Sequence, residues 1–270
     1  MLISIGIPTY NNEETISQTI QSLIAQSLES WECFITDDSD SDDTINAAKK
    51  AIGHDARFTV IKNSQRLGAA GNWNKTLSLA TGKYFKLLCA DDLLSREALE
   101  LQYQALERNP SSVLCTGRRS IINSKGRVLV KNRGLDFDSE YLSAEQATNL
   151  FIRKGSNFFG EPSFAMFNTD VLRDLGGFNK SWSYLIDVES YLRCLGSGGL
   201  VALNENLGAF RISSNSWSAT LSNEQRTETI RCIDYACSLN YSSASWSEIS
   251  IGKLRATVSS FIRRLIFLFA

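Results

Sequence analysis

Carboxylate, amide and hydroxyl side chains gather at four points of the sequence, each directly after a short apolar run. The four segments are Pro8–Asn11, Asp37–Ser41, Asn63–Asn74 and Ala90–Asp92. Two of them hold adjacent carboxylates, which raise each other's pKa unless a cation or hydrogen-bond donors compensate. A hard divalent cation with oxygen ligands, shared with a diphosphate, is the natural compensator. The pattern therefore predicts a site for a divalent ion and a phosphorylated ligand.

Taken singly, each of these segments is more typical of a helix cap or a turn, because Asp, Asn and Ser favour both. Whether the four segments lie together in the fold decides between a ligand site and ordinary caps and turns. The first 120 residues alternate β-type runs with amphipathic helical patterns, which is typical of a parallel sheet with helices on both faces. Right-handed crossovers then place the carboxyl ends of the strands at one edge, where α/β sheets bind ligands.

The elements that must position these side chains are short and regular. Strands are predicted at Leu2–Ile7, Trp31–Thr36, Phe58–Lys62 and Tyr84–Cys89, and helices at Glu14–Ala25, Thr44–Ile52, Ala69–Ala80 and from Ser95 to Asn109. Beyond Val113 the pattern predicts a hairpin turn at Ser124–Gly126, a helix at Ser143–Arg153, a strand at Ser163–Phe167, a helix at Asp187–Leu195 and a mostly helical segment from Glu224 onward. No linker divides the chain, which favours one domain with a helical C-terminal extension.

Charge and composition exclude several classes of protein. Lys and Arg total 28 and Asp and Glu 29, a net charge of -1, so no global field attracts nucleic acid, and we find no basic stripe in its place. His54 is the single histidine, which excludes zinc sites with two or more histidines and any Ser-His-Asp triad without His54 as base. Hydrophobic residues make up 43% of the chain, which excludes collagen, coiled coils and wholesale disorder.

The cysteines and the N-terminus bear on the compartment. The six cysteines form no CxxC pair, and we interpret them as small core residues of a protein in the reducing cytoplasm. The first residues lack a basic region and predict no signal peptide. No apolar stretch reaches about 18 residues, so no membrane-spanning helix is expected.

Three segments of the chain resemble the family 2 inverting glycosyltransferases. Their nucleotide-binding half is similar to SIGIPTYNNEETISQTIQSLIAQSLESWECFITDDSDSDDT and to NSQRLGAAGNWNKTLSLATGKYFKLLCADDLL. Their acceptor half is similar to GEPSFAMFNTDVLRDLGGFNKSWSYLIDVESYLRCL. The match covers about Leu2 to Arg211, and the order and spacing of the motifs make it specific.

The resemblance implies a fold and a division of the chain. The fold is the GT-A type, a Rossmann-like α/β sandwich with a mostly parallel central sheet, helices on both faces and a helical C-terminal extension. Residues 1–215 would form the glycosyltransferase domain and residues 216–270 the extension. Within the domain, residues 1–115 would bind the nucleotide sugar and residues 116–215 the acceptor.

On the nucleotide side, the resemblance implies roles for the first three strand ends. Pro8, Thr9 and Tyr10 would line the nucleobase pocket, where the Tyr10 ring can stack on a base. Asp38 would accept a hydrogen bond from a pyrimidine N–H. Gly68 would let the backbone approach the ligand closely.

Amide and acidic side chains would complete the donor site. Asn72 or Asn74 would contact the nucleotide or the sugar. Asp92 would coordinate Mg²⁺ or Mn²⁺, with Asp91 on the ribose or donor sugar. The same two carboxylates are also compatible with a cap for the helix that opens near Ser95.

The acceptor half would supply the general base. An inverting transfer needs a carboxylate that takes the proton of the acceptor hydroxyl, and the resemblance implies Asp187 for this role. An N-cap is the alternative interpretation of Asp187, and Glu189 is the competing base. Glu161 would lie beside the acceptor or donor sugar, and Arg66 or Arg211 would supply positive charge toward the diphosphate.

Three positions depart from the family pattern and keep a second hypothesis open. Cys89 stands where many relatives have the first acidic residue of the metal motif, Ser213 where a histidine is frequent, and Gly71 where an arginine is frequent. The first hypothesis is a metal-dependent inverting glycosyltransferase that uses a UDP-sugar. The second is a catalytically silent nucleotide-sugar-binding subunit. A nucleotidyltransferase is weakest, because Pro8–Asn11 offers neither a Gly-rich phosphate loop nor a lysine.

The resemblance also implies the partners. They are a nucleotide-sugar donor and a glycan or lipid-linked acceptor in polysaccharide or glycolipid biosynthesis. The tail from Leu254 to Phe269 is apolar on one side, with Arg255, Arg263 and Arg264 among the apolar residues. It fits an interfacial helix at the inner face of the membrane and fits equally well a helix packed on the domain or on a second copy of the chain.

Overall fold

The computed structural model of the chain describes residues 2–134, 140–212, 221 and 224–269, with residues 261–269 described through their backbone alone. The strands are β1 (Ile3–Thr9), β2 (Trp31–Asp37), β3 (Phe58–Lys62), β4 (Tyr84–Leu87), β5 (Leu93–Leu94), β6 (Ser112–Asn123), β7 (Val128–Arg133), β8 (Tyr141–Leu142), β9 (Met166–Asn168) and β10 (Gly199–Ile212). The helices are α1 (Ile16–Ile24), α2 (Asp43–Ile52), α3 (Ala69–Leu79), α4 (Ala98–Arg108), α5 (Ala144–Lys154), α6 (Thr169–Asp174), α7 (Ile186–Leu195), α8 (Gln225–Ser238) and α9 (Trp246–Phe269).

These strands form one sheet in the described part of the chain, in the order β3-β2-β1-β4-β9-β6-β10-β5, with β7 beside β6 and β8 beside β10. The strands β1, β2, β3 and β4 run parallel, which confirms the predicted strand–helix alternation. From β9 onward the sheet is mixed, because β9 lies antiparallel to both β4 and β6 while β6 and β10 are parallel. The sheet edge that carries the ends of β1, β2 and β4 is the predicted ligand edge.

Two local predictions are confirmed and one is corrected. The hairpin joins β6 to β7 in antiparallel register, and the Ser143 hydroxyl and the Gln146 side chain form a capping box at the start of α5. The strand predicted at Ser163–Phe167 is shorter, because Pro162–Phe164 forms a 3₁₀ turn and only Met166–Asn168 joins the sheet. This turn directs the Ser163 hydroxyl toward Asp92.

Apolar side chains pack into two clusters, one on each face of the sheet. Neighbouring strand residues belong to different clusters, such as Leu114 and Cys115 or Leu200 and Val201, as the alternation of side chains along a strand requires. Helices α8 and α9 add buried residues to the cluster that also contains Phe85 and Phe167. The C-terminal helices therefore share a core with the sheet, and the boundary at residue 215 stays a prediction.

The cysteines are free thiols, and four of the six are buried, as their apolar surroundings predict. No helix among the described residues combines the length and the apolar character needed to cross a bilayer.

Candidate active site

The nucleotide side of the candidate site is built where β1 and β2 end. The Thr9 hydroxyl donates to Asp37 Oδ1 at 2.6 Å, and the Asp38 backbone N–H donates to the Thr9 carbonyl at 3.0 Å. Pro8 is half-buried beside Thr9. The two strand ends are thus joined by hydrogen bonds. The other oxygen of Asp37 lies 3.3 Å from Lys62 Nζ, so both oxygens of this carboxylate have partners within the protein.

Asp38 shapes the loop that borders this edge. Its Oδ2 accepts the backbone N–H groups of Leu67 and Gly68 at 3.1 and 2.9 Å, and its Oδ1 accepts Asn63 Nδ2 at 2.6 Å. Gly68 has a φ of +72°, a conformation that glycine adopts without strain. Because Oδ1 accepts a single hydrogen bond from the described residues, it keeps a lone pair for a ligand N–H.

Tyr10 presents its ring at the same edge. The ring is 40% exposed, and the guanidinium carbon of Arg66 lies 4.1 Å from its centroid. An aromatic face in contact with a guanidinium suits stacking of a planar base. Arg66 therefore lies by Tyr10, at the edge where the base would stack.

The structure corrects the role given to Asn72, while a ligand contact of Asn74 stays a prediction. The Asn72 amide is buried, with Oδ1 accepting from Thr36 and Asn63 and Nδ2 donating to the Thr9 and Thr36 carbonyls, so it has no hydrogen-bonding capacity left for a ligand. The Asn74 amide pairs with the backbone N–H and carbonyl of Phe178, both at 2.7 Å. Both asparagines hold protein segments together.

The acidic pair after β4 consists of two different carboxylates. Asp92 is fully buried, and its Oδ2 and Oδ1 accept the Ser163 hydroxyl at 2.6 Å and the Arg211 backbone N–H at 2.9 Å. Asp91 is half-buried, and no side chain in the described part of the chain donates to its carboxylate. The packing therefore favours the reverse of the sequence assignment, with Asp91 facing a ligand and Asp92 holding the loop.

Burial and mutual repulsion act on this pair. Burial, followed by the charge of Asp91, raises the pKa of Asp92 well above its ordinary value. Burial also raises the pKa of Asp91, although the positive charge of Arg211 opposes it. A divalent cation at Asp91 would relieve this cost, as the sequence argument requires.

Arg211 is a structural clamp, which corrects its predicted role toward the diphosphate. Its guanidinium is buried and donates to the carbonyls of Asp91, Asn123 and Ser124 and to Gln18 Oε1. These bonds join the acidic loop, the β6–β7 turn and α1. The neighbouring Ser213, which stands where a histidine is frequent in the family, lies outside the described residues.

On the acceptor side, Asp187 is the second residue of α7 and is almost fully buried. Burial, together with the charge of Glu161, raises its pKa to about 7, while the backbone N–H of Val188 and the Asn157 side chain oppose the rise. Asn157 Nδ2 lies 3.3 Å from its Oδ2. A carboxyl that titrates near neutral pH is suited to take up a proton.

The segment that leads into α7 is held from another helix, and Asp187 is not the N-cap of α7. The N-cap position belongs to Leu185. The carboxylate of Glu228 in α8 accepts the backbone N–H groups of Ser183, Tyr184 and Leu185 at 2.9, 2.6 and 2.9 Å. Asp187 instead lies within the first turn, where its carboxylate accepts the backbone N–H of Val188.

The two other acidic residues of the acceptor half are paired with arginines. Glu189 is buried and bound by Arg193, with Nε–Oε1 and Nη2–Oε2 distances of 2.9 and 3.0 Å. Glu161 forms a bidentate pair with Arg119 at 2.5 and 3.0 Å, and although burial raises its pKa, the charge of Arg119 brings it below the ordinary value. Asp187 is thus favoured over Glu189 as a base.

The acidic loop and α7 lie within electrostatic reach of each other. Burial raises the pKa of the Cys89 thiol, and the charges of Asp92, Asp91 and Asp187 raise it further. The Cys89 backbone N–H donates to the Ser163 hydroxyl that holds Asp92. Asp91, Asp92 and Asp187, which come from distant parts of the chain, therefore lie close enough to act on the same thiol.

This edge of the sheet offers few protein ligands for a divalent metal ion. Within the described residues no group of three or more His, Cys, Asp or Glu side chains is arranged to hold a metal ion. Mg²⁺ keeps several waters and binds proteins through one or two carboxylates together with substrate phosphates. Asp91, whose carboxylate accepts from no side chain among the described residues, meets that requirement.

Two residues of the site, Asn157 and Arg119, are not evident from the sequence. Each acts through a contact remote in sequence, with Asp187 and Glu161 respectively. Arg119 lies in a β-type run, and an arginine there could have indicated a buried acidic partner, since charges are buried in pairs.

Lys86 on β4 supports the turn that carries Glu161 and Ser163. Its ammonium is buried and donates to Gln102 Oε1 at 2.7 Å and to the Ala165 carbonyl at 3.2 Å. Gln102 in turn donates to the Phe164 carbonyl at 3.0 Å. Burial lowers the pKa of Lys86 from 10.5 to about 7.

This burial predicts a pH dependence of stability. Between pH 7 and 10.5 the unfolded chain holds a proton on Lys86 that the folded chain does not, so this group makes the free energy of unfolding rise with pH. Replacing Lys86 by Met should remove up to about 1.4 kcal/mol of that rise per pH unit. Urea unfolding at several pH values measures the slope, with exposed Lys50→Met as control. Equal slopes in the unchanged chain and Lys86→Met would contradict the prediction.

The chain is similar to a family profile and to several known proteins. The profile described as Glycosyl transferase family 2 matches residues 4–176. "Uncharacterized protein MT1568" of Mycobacterium tuberculosis is 31% identical over 201 residues, which are 72% of this chain and 62% of that protein. The UDP-Glc:alpha-D-GlcNAc-diphosphoundecaprenol beta-1,3-glucosyltransferase WfgD of Escherichia coli is 35% identical over 127 residues, 47% of this chain and 49% of WfgD. The chain thus spans less than two thirds of the length of either relative.

Solved structures share the fold. S. aureus TarS 1-349 in complex with UDP-GlcNAc matches with a TM-score of 0.69 and 18% identity over 89% of this chain and 68% of that chain. The mannosyltransferase PcManGT from Pyrobaculum calidifontis, in complex with GDP-Man and Mn2+, matches with a TM-score of 0.63 and 15% identity over 96% and 75%. These matches confirm the GT-A fold. Because the family profile covers more than half of the 270 residues, the chain belongs to glycosyl transferase family 2.

Proposed function

We propose that the chain is a metal-dependent, inverting glycosyltransferase that moves a sugar from a UDP-sugar to a hydroxyl acceptor in polysaccharide or glycolipid biosynthesis. The observation that carries this proposal is the position of Asp187, a buried carboxyl with a pKa near 7, within electrostatic reach of the acidic loop after β4. A nucleotide-binding edge, a ligand for a divalent ion and a base then lie on one side of the sheet. The cytoplasm is the proposed location.

The donor is held by groups at the ends of β1, β2 and β4. Tyr10 supplies an exposed ring for the base, and Asp38 Oδ1 keeps a lone pair for a pyrimidine N–H. Asp91 would hold Mg²⁺ or Mn²⁺, which supplies charge stabilisation for the leaving diphosphate when bound. Asp92 keeps Asp91 in place through its bonds to Ser163 and Arg211.

The acceptor hydroxyl is activated by Asp187. Its carboxylate accepts the hydroxyl proton while the acceptor oxygen bonds to C1 on the face opposite the leaving diphosphate, so that the configuration at C1 inverts. Positive charge develops at C1, as in glycoside hydrolysis. The paired Glu161 and Arg119 lie beside Asp187 and keep one carboxylate ionised near the reacting sugar.

A lipid-linked acceptor is proposed from WfgD, whose name specifies a diphosphoundecaprenol acceptor. Exposed apolar residues on α9, such as Trp246 and Leu254, support a peripheral contact of this helix with a membrane or a second copy of the chain. A silent binding subunit is not favoured, because binding a nucleotide sugar does not require a raised-pKa carboxyl such as Asp187.

Isothermal titration calorimetry with UDP in the presence of Mn²⁺ tests the proposed donor. We expect UDP to bind more tightly with Mn²⁺ than with a chelator, because the ion joins the diphosphate to Asp91. GDP is the control and should bind more weakly, since the proposed base pocket takes a pyrimidine. Absence of UDP binding, or equal binding of UDP and GDP, would count against a UDP-sugar donor.

A further inference from the structure

The β6–β7 hairpin carries an apolar surface that the fold does not use. Val128, Leu129 and Val130 are consecutive residues of β7 and are 46%, 56% and 47% exposed. Side chains alternate between the two faces of a strand, so Leu129 lies on one face and the two valines on the other. A strand of a folded domain usually buries one face, and β7 buries neither.

The same hairpin is strongly basic. The segment Ser124–Gly134 contains Lys125, Arg127, Lys131 and Arg133 and no acidic residue, in a chain with a net charge of -1. All four cationic side chains lie on exposed residues. Apolar side chains flanked by Lys and Arg are the combination that enters the headgroup region of an anionic bilayer.

The hairpin is fixed to the candidate site. Arg211 donates to the carbonyls of Asn123 and Ser124 at the hairpin turn and also to the Asp91 carbonyl. On β7, Asn132 Oδ1 accepts Asn206 Nδ2 from β10 at 2.7 Å. A surface bound by the hairpin therefore has a defined position relative to the acidic loop.

We propose that the β6–β7 hairpin docks the protein on an anionic lipid surface and so presents the site to acceptors anchored there. The docking proposal extends the proposed function and depends on it only for the lipid-linked acceptor. A second copy of the chain fits the hairpin less well. Edge-to-edge pairing of two β7 strands would bring Arg127, Lys131 and Arg133 of both chains together, and like charges across paired strands are destabilising.

Co-sedimentation of the full chain with vesicles tests the docking. We expect binding to vesicles that contain phosphatidylglycerol and little binding to pure phosphatidylcholine. Replacing Lys125, Arg127 and Lys131 with Gln should weaken binding about fivefold per cation, or about 100-fold in all. The matched control replaces the exposed Lys49, Lys50 and Arg96 and should bind like the unchanged chain. Equal losses in both variants, or no loss in the first, would overturn the proposal.

The apolar contribution is tested separately. Replacing Val128, Leu129 and Val130 with Ser should weaken vesicle binding about tenfold or more, and the urea unfolding midpoint should hardly change because these side chains are exposed. Loss of binding in a Trp246→Ser, Leu254→Ser variant, with the hairpin variants binding normally, would assign the contact to α9 and overturn the proposal. So would a change of oligomeric state in the hairpin variants without lipid.

The failure of this inference is distinguishable from the failure of the proposed function. Vesicle binding needs no donor, and UDP titration needs no lipid. We expect the hairpin variants to bind UDP as the unchanged chain does. Vesicle binding without UDP binding would leave the docking intact and refute the donor, and the reverse would refute the docking alone.

Discussion

Replacing Asp187 with asparagine is expected to lower turnover by about 10²–10⁴-fold, the usual contribution of a positioned general base. The amide has nearly the shape of the carboxyl but cannot take up the acceptor proton. UDP affinity should be unchanged, because Asp187 lies on the acceptor side. Turnover of the donor with acceptor, or with water in its place, measures the first effect and calorimetry the second.

The pH profile of the unchanged chain belongs to the same prediction. Asp187, with a pKa of about 7, is protonated below pH 7 and cannot act as a base, so the rate should fall about tenfold per pH unit below 7 and level off above it. Glu189→Gln is the matched control, because Glu189 lies on the same helix but is bound to Arg193. A variant without Asp187 that keeps most of its turnover would exclude this residue as the base.

Replacing Asp91 with asparagine is expected to weaken Mn²⁺-dependent binding of UDP by about 100-fold or more, since losing even an outer-shell partner of a metal ligand costs 10–100-fold. The fold should tolerate the change, because no described side chain depends on the Asp91 carboxylate. Calorimetry with UDP, with and without Mn²⁺, measures the effect.

Replacing Asp92 with asparagine is expected to lower the stability of the fold, in contrast to Asp91→Asn. An amide can accept from only one of its two present donors, the Ser163 hydroxyl and the Arg211 backbone N–H, so one of them is left buried and unsatisfied, at about 1–3 kcal/mol. The loss should appear as a lower free energy of unfolding in urea. If Asp92→Asn folds as stably as the unchanged chain and Asp91→Asn binds UDP with Mn²⁺ normally, the assignment of Asp91 to the ligand and Asp92 to the loop is wrong.

The sequence predicts the frame of this site well because the signals are local. Alternating strands and helices locate the ends of β1, β2 and β4, and polar residues after a strand mark the edge where they meet. Hydrophobic periodicity needs no information about distant residues. The role of Asp187 is implied by the family resemblance alone, and its closeness to the acidic loop is visible only in the structure.

The sequence does not predict which side chain of each cluster faces a ligand and which one holds the protein together. Whether a carboxylate faces a ligand depends on which donors already occupy it, and those come from far along the chain. Ser163 is 71 residues from Asp92, and Arg211 is 120 residues from Asp91. Asn72 and Arg211 have side chains suited to a phosphorylated ligand, and packing uses both inside the protein.

The contact between Glu228 and the start of α7 joins the C-terminal helices to the chemistry. The family profile ends at residue 176, and Asp187 and Glu228 both lie beyond it. Because one carboxylate holds the three consecutive amides that lead into α7, a displacement of α8 would move the start of α7 and with it Asp187, the proposed proton acceptor. In the proposed mechanism, the two C-terminal helices would therefore support the base from outside the site, and changes in their sequence would alter the reaction rate without contact with either substrate.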